Sequence, residues 1–271
     1  MKTTRSSLKD SLNSVFAAVV IPLEIIIAFL TYFYVLGNPE NFQGGDPANH
    51  PLPGNYLGIV YKGGLIVPIL IGLLLIVVTF SIERALTISR AKGSGNIKRF
   101  VMKIRSLVSS DNLSQAIQEC DRQRGSVANV VKAGLSKYRE LTADGTLDRD
   151  KKVLIIQKDI EETTQLEMPM LEKNLVIIAT IASIATLVGL LGTVLGMIKA
   201  FAALATAGAP DAVALANGIS EALINTALGI ATSALAIIFY NYFTTKIDAL
   251  TYGIDEVSYS IIQNFTTKAR A

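Results

Sequence analysis

The chain is predicted to be an all-α, polytopic membrane protein with four transmembrane helices and a helical cytoplasmic segment. Hydrophobic residues make up 51% of its 271 positions. Charged residues make up 17%, against roughly 25% in ordinary soluble domains. Mean hydropathy is +0.44, and the apolar residues are gathered into runs instead of being spread at core spacing. Residues 15–36 carry one charge, Glu24, while 64–82, 174–198 and 222–245 carry none. About 20 apolar residues cross a hydrocarbon core of roughly 30 Å, so each run is long enough or nearly so.

The first element, 1–37, is a basic tail followed by a span. Lys2, Arg5 and Lys9 precede an apolar run that exceeds the roughly 7–15 residues of a signal-peptide core, and no small-x-small cleavage site follows. A retained anchor is therefore expected. The loop 38–63 holds Asn38-Pro39, Gly44-Gly45-Asp46-Pro47, Pro51 and Pro53-Gly54, a string that reads as irregular structure. Tyr32, Phe33, Tyr34, Tyr56 and Tyr61 flank it as an interfacial aromatic belt. After the second span, 64–82, come Arg84, Arg90, Lys92, Lys98 and Arg99. Lys158 and Lys173 precede the third span and Lys246 follows the fourth, whereas the hairpin turn 207–215 has no basic residue. Positive charge at span ends marks the cytoplasmic side, so both termini and the 83–173 segment face inward and 38–63 is periplasmic. This asymmetry accounts for the formal +3 charge without nucleic-acid binding.

Segment 83–173 reads as helical. Asp111-Asn112 can cap a helix over 113–124, whose stripe is Leu113, Ala116, Ile117 and Cys120, with Gly125 ending it. Val127, Val130, Val131, Gly134, Leu135 and Tyr138 form a second stripe, and Asp144-Gly145 marks a turn. Residues 150–173 then run into the third span with few breakers, as one continuous helix that Pro169 could kink. No phosphate loop, nucleophile elbow or metal cluster is present, so neither an enzyme nor a cofactor is expected. Cys120 has no partner for an intrachain disulfide, and His50, between Asn49 and Pro51, reads as a solvated loop residue.

The last two spans form a hairpin, 174–245, before a tail at 246–271. Gly189, Gly192, Gly196 and Gly229 are small residues at helical spacing, the means by which helices approach closely in lipid. Thr186 and Thr193 share one face of the third span. A hydroxyl in hydrocarbon can bond its own helix, so packing and pore lining both stay open from the pattern. On the fourth span Glu221 and Asn225 lie one turn apart, and Thr226 belongs to an adjacent stripe with Gly229 and Ser233. Glu221 is either solvated near the outer interface or turned toward protein or water. Glu24 has the same energetics, and structural pairing is the reading for it.

Two strings in this hairpin carry a family resemblance. One is Leu190-Leu191-Gly192-Thr193-Val194-Leu195-Gly196-Met197-Ile198 followed by Phe201; the other is Ile219-Ser220-Glu221-Ala222-Leu223-Ile224-Asn225-Thr226-Ala227-Leu228-Gly229 with Tyr240-Asn241 beyond. Together they resemble the ExbB/TolQ/MotA proton-channel family, ExbB most closely; Ala116–Cys120 and Glu83-Arg84 are similar more loosely. The resemblance runs from about residue 64 to the carboxyl end. It implies an oligomeric inner-membrane ring, five-fold, around two copies of an ExbD-like single-span partner carrying an intramembrane Asp. It also implies that threonines at Thr193 and Thr226 line the path with Glu221 beside it, and that a TonB-like protein receives the work. A TolQ-like or MotA-like stator is the alternative within the class, and a non-conducting scaffold is the alternative outside it. The chain departs from the family pattern in having Thr186 and Leu235 where Pro is common, and in its first span, which three-span ExbB and TolQ proteins lack.

Overall fold

A computed structural model describes the backbone of residues 3–143, 146–205 and 211–268, with side chains placed from 16 to 267 within those ranges. The predicted turn at Asp144-Gly145, residues 207–210 of the predicted hairpin turn and the basic side chains of the amino tail lie outside the described residues.

The described residues are helical, with one isolated antiparallel bridge between Phe42 and Pro51. The helices are α1 (Thr3–Leu30), α2 (Tyr56–Tyr61), α3 (Ile66–Lys92), α4 (Ile97–Ser109), α5 (Leu113–Gln123), α6 (Gly125–Ala143), α7 (Arg149–Glu172), α8 (Leu175–Leu204) and α9 (Ala212–Lys268). Among the described residues, four helical stretches are long and apolar enough to cross a membrane: Phe16–Leu36, Ile66–Ser109, Leu175–Leu204 and Ala212–Thr267. The fold class is the one the sequence predicts. The chain divides into two compact units, Met1–Ser81 with Ile177–Tyr240, and Ile82–Val176 with Asn241–Ala271.

In the first unit α1 ends in a π-helical turn, Thr31–Leu36, and Tyr32, Leu36 and Val67 make a small apolar core with Tyr61, Ile224 and Leu228 against it. Tyr32 stacks on Tyr61, ring centroids 4.7 Å apart, and its hydroxyl donates to the Tyr61 carbonyl at 3.1 Å. The loop expected to be irregular is more ordered than its composition suggests. Asn55 caps α2 by accepting from the Gly58 amide at 3.0 Å. Asn41 donates to the Val35 and Leu36 carbonyls at 2.9 and 3.0 Å, satisfying groups left over at the helix end. Lys62 Nζ donates to the carbonyls of Pro47 and Ala48, both at 2.9 Å. Burial holds the Lys62 pKa below the ordinary lysine value, with Asp46 pulling against it.

The second unit is a polar-surfaced helical cluster around the predicted stripes. Ala116, Ile117 and Cys120 of α5 are buried, as are Val127, Val130, Val131, Leu135 and Tyr138 of α6. Asn112 caps α5 by accepting from the Gln115 amide at 3.3 Å. Gly125, at φ +84°, packs so closely on the Ala91 and Arg90 carbonyls that a β-carbon has no room. The segment after 245, read from sequence as a tail, is the far part of α9. Its Ile247, Leu250, Ile254, Val257, Ile261 and Phe265 are all buried, at the three-to-four spacing of an amphipathic stripe. Tyr138 donates to Asn264 at 2.9 Å and meets Phe265 edge-on.

One expectation is corrected here. The helix predicted to run unbroken from 150 into the third span stops at Glu172, and α8 begins at Leu175. Pro169 lies inside α7, where it supplies no amide hydrogen. The carbonyls of the last turn are taken up from outside. Buried Arg84 donates to Met170 O at 3.1 Å and Leu171 O at 2.9 Å, and its Nε bonds Glu83 at 2.6 Å. Asn174, in the break itself, donates to Glu83 at 3.1 Å. A guanidinium replacing intrahelical donors at a helix C-terminus is a capping arrangement, and it makes the break a built feature.

Candidate functional site

The site is built on the seam between α8 and α9 in the first unit. A β-carbon added to Gly189 would fall within 3 Å of the Asn225 carbonyl, and one on Gly196 within 3 Å of Ala222 and Gly218 backbone atoms. At Gly192 it would enter the Asn225 side chain, and at Gly229 it would meet the Ala185 carbonyl. Gly189, Gly196 and Gly229 therefore sit where one backbone lies on the other, and Gly192 makes room for the Asn225 side chain. In lipid, where apolar side chains give helices no reason to prefer one another, contact of this kind supplies dispersion energy. Ser233 adds a hydrogen bond to the Ala182 carbonyl across the same seam.

This close approach fixes two hydroxyls. Thr193 of α8 bonds its own Gly189 carbonyl at 3.3 Å and reaches across to the Ala222 carbonyl of α9, also at 3.3 Å. Thr226 bonds the same Ala222 carbonyl at 3.1 Å, and the two hydroxyls are in direct hydrogen-bond contact. Each hydroxyl is both donor and acceptor, so the pair can pass a proton or solvate a cation. Both side chains are partly exposed.

One turn before Thr226, Glu221 is 8% exposed. Lys199 of α8 grips both its oxygens, at 2.7 and 2.8 Å. Glu221 also lies against Gly64, whose φ of +73° suits glycine and where a β-carbon would come 2.6 Å from Oε1. Asn225 is fully buried. Its Nδ2 donates to the Gly63 carbonyl at 2.8 Å, while its Oδ1 is buried with no hydrogen-bond partner. The structure thus gathers Thr193, Thr226, Glu221 and Asn225 into one polar node. Thr186 is not part of it: it is exposed, nearly two turns earlier on α8.

Three participants escaped the sequence reading. Lys199 stands just past the uncharged run 174–198, and a lone base on one arm of a hairpin carrying a lone buried acid on the other was the available signal. Gly63 and Gly64 stand at the junction of the loop 38–63 and the second span; their approach to α9 joins positions about 160 apart in sequence, which no local pattern encodes. Among the described residues, no group of three or more His, Cys, Asp or Glu could hold a metal ion.

Residues 122–256, about half the chain, match the model of the MotA/TolQ/ExbB proton channel family. The chain belongs to the MotA/TolQ/ExbB family. The match includes both arms of the hairpin and every residue of the node except Gly63 and Gly64. The Tol-Pal system protein TolQ of Pseudomonas aeruginosa is 32% identical over 124 residues, 46% of this chain and 54% of that one. TolQ of Haemophilus influenzae is 26% identical over 220 residues, 79% of this chain and 92% of that one. The biopolymer transport protein ExbB of Helicobacter pylori is 45% identical over 80 residues, 30% and 55% of the two chains. Apart from the Haemophilus protein, the chain spans about half the length of these relatives.

Proposed function

We propose that this chain is the proton-channel and motor subunit of an ExbB–ExbD-type complex, with both termini in the cytoplasm of the cell that holds it in its inner membrane. It converts proton-motive force into mechanical work for TonB-dependent transport at the outer membrane. The observation that carries the reading is the Thr193–Thr226 hydroxyl pair, held between two membrane helices by backbone contact with Glu221 one turn away. A hydroxyl relay needs a proton carrier, and none of the four apolar runs contains an Asp. In keeping with the family resemblance, the proposed carrier lies on a partner, a single-span protein with an intramembrane Asp enclosed by a homo-oligomeric ring, a pentamer. A membrane potential supplies about 2.3 kcal/mol per charge per 100 mV, enough to bias stepwise rotation of ring against partner. A TolQ-like role is the second reading, favoured by the long alignment with the Haemophilus TolQ.

Native mass spectrometry of the complex, extracted gently from its own membranes, tests this. A ring of several copies holding a small single-span protein is the expected result. A monomer or dimer, under conditions that preserve other membrane complexes, overturns the reading in favour of a scaffold.

A further inference from the structure

Glu24 takes no part in the hairpin node. It is the only charged residue between 16 and 36, and it is 7% exposed. Here α1 runs along α3: Ala28 Cβ and Ile25 Cγ1 each lie 3.6 Å from where a Gly72 β-carbon would be, and Phe16 meets Phe80 edge-on at 5.9 Å. Between those contacts the Thr79 side chain of α3 lies beside the Glu24 carboxyl. The other oxygen, Oε2, is buried and has no hydrogen-bond partner.

Among the described residues, no cation is paired with this group. Residues 66–82 of α3 contain no Lys, Arg, His, Asp or Glu. The next charged groups on α3, Glu83 and Arg84, are bonded to each other, and Arg84 is further committed to the Met170 and Leu171 carbonyls. On α1 itself Arg5, Lys9 and Asp10 all precede residue 16. In the other two spans of this unit the charged pair Lys199–Glu221 is closed on itself. A carboxylate needs several donors when withdrawn from water, and this one has a single hydroxyl. Under those conditions a carboxyl group gives up its charge before it gives up its place.

We propose that Glu24 is a proton-binding site separate from the α8–α9 hairpin, a carboxylic acid that keeps its proton at neutral pH inside the membrane. Thr79 donates to one oxygen and the proton resides on the other, where an O–H facing apolar surroundings costs far less than an unpaired negative charge. The first helix is thereby joined to α3 through a neutral hydrogen-bonded pair. The proposal stands whether or not the hairpin conducts.

Infrared difference spectroscopy on the full-length protein in lipid at neutral pH tests it. Wild type minus Glu24→Gln is expected to show one carbonyl stretch of a protonated carboxylic acid, moving to lower frequency in D2O. The paired stretches of an ionised carboxylate in that difference overturn the assignment. Should Glu24→Gln fail to assemble, Thr79→Val against wild type serves in its place. Loss of the hydroxyl is expected to move the same acid band, and a displacement of carboxylate bands instead refutes the proposal.

Discussion

Replacing Thr193 by Val exchanges a hydroxyl for a methyl of nearly the same size, so the seam between α8 and α9 keeps its shape. Besides the contact with the Thr226 hydroxyl, the bonds lost are weak. Thr193 lies 3.3 Å from each carbonyl it contacts, longer than the roughly 2.7–2.8 Å of a good O–H···O bond. Hydrogen bonds between membrane helices average about 0.6 kcal/mol. Thr226 retains the Ala222 carbonyl at 3.1 Å, so no buried donor is stranded. The substitution should therefore cost less than about 1 kcal/mol of stability, and the oligomer should form as before. Transport is affected differently, because a relay with one member missing has no alternative donor at that point. Positioned proton-transfer groups contribute about 10²–10⁴-fold, so proton flux should fall by about 100-fold or more. The assay is dye-reported proton flux in liposomes holding the complex with its partner, alongside the unfolding midpoint of the same preparation. Thr226→Val and the double variant complete a cycle. If the hydroxyls act as one element, the double variant is no slower than either single one. Undiminished flux in an assembled Thr193→Val complex refutes the relay, and a flux loss that only tracks lost stability reduces the pair to packing.

Lys199→Gln leaves Glu221 buried without its cation; because the lysine is itself largely exposed, the expected loss is about 1 kcal/mol, not the 3–5 of a fully buried pair. Lys199→Arg should recover most of it in thermal unfolding, and an unchanged midpoint in the Gln variant would show that the pair contributes nothing. Arg84→Leu removes the donors that hold the α7 C-terminus and leaves Glu83 with only the neutral donors Thr87 and Asn174, so it should destabilise by about 3 kcal/mol, read by loss of helical signal at lower temperature. Burial pushes the Cys120 thiol up to about 12, so maleimide should label it only after unfolding at pH 7–8, as seen by mass. The unfolded thiol loses its proton first, so the contribution of Cys120 to stability is full below about pH 9 and declines as pH rises from there toward 12.

The membrane spans were legible because long uncharged apolar runs have few other physical explanations. The α5 and α6 stripes were legible because burial repeats at the helical period. Thr193, Thr226, Glu221 and Asn225 could be named from two short strings, since their spacing on each helix is local. What could not be read is whatever depends on two helices meeting. Lys199 became a partner of Glu221 only when the Gly196–Gly218 approach drew the arms together. Arg84 looked like one of several basic residues marking the inner side, until its guanidinium was found on the carbonyls of a segment 86 positions away. The stripe from Ile247 to Phe265 did have a local period; it was eclipsed by the polar residues between its members.

Because glycines let α8 and α9 touch along their backbones, the hydroxyls between them are positioned by main chain instead of by flexible side chains. The two helices then meet as the adjoining parts of a single stave, with no room for a side chain between them at Gly189, Gly196 or Gly229. If the proposed motor reading holds, a working stroke would be taken up on the outer faces of that stave. On the proposed motor reading, a disulfide clamped across the seam should leave function intact, whereas the same clamp on the opposite face should abolish it.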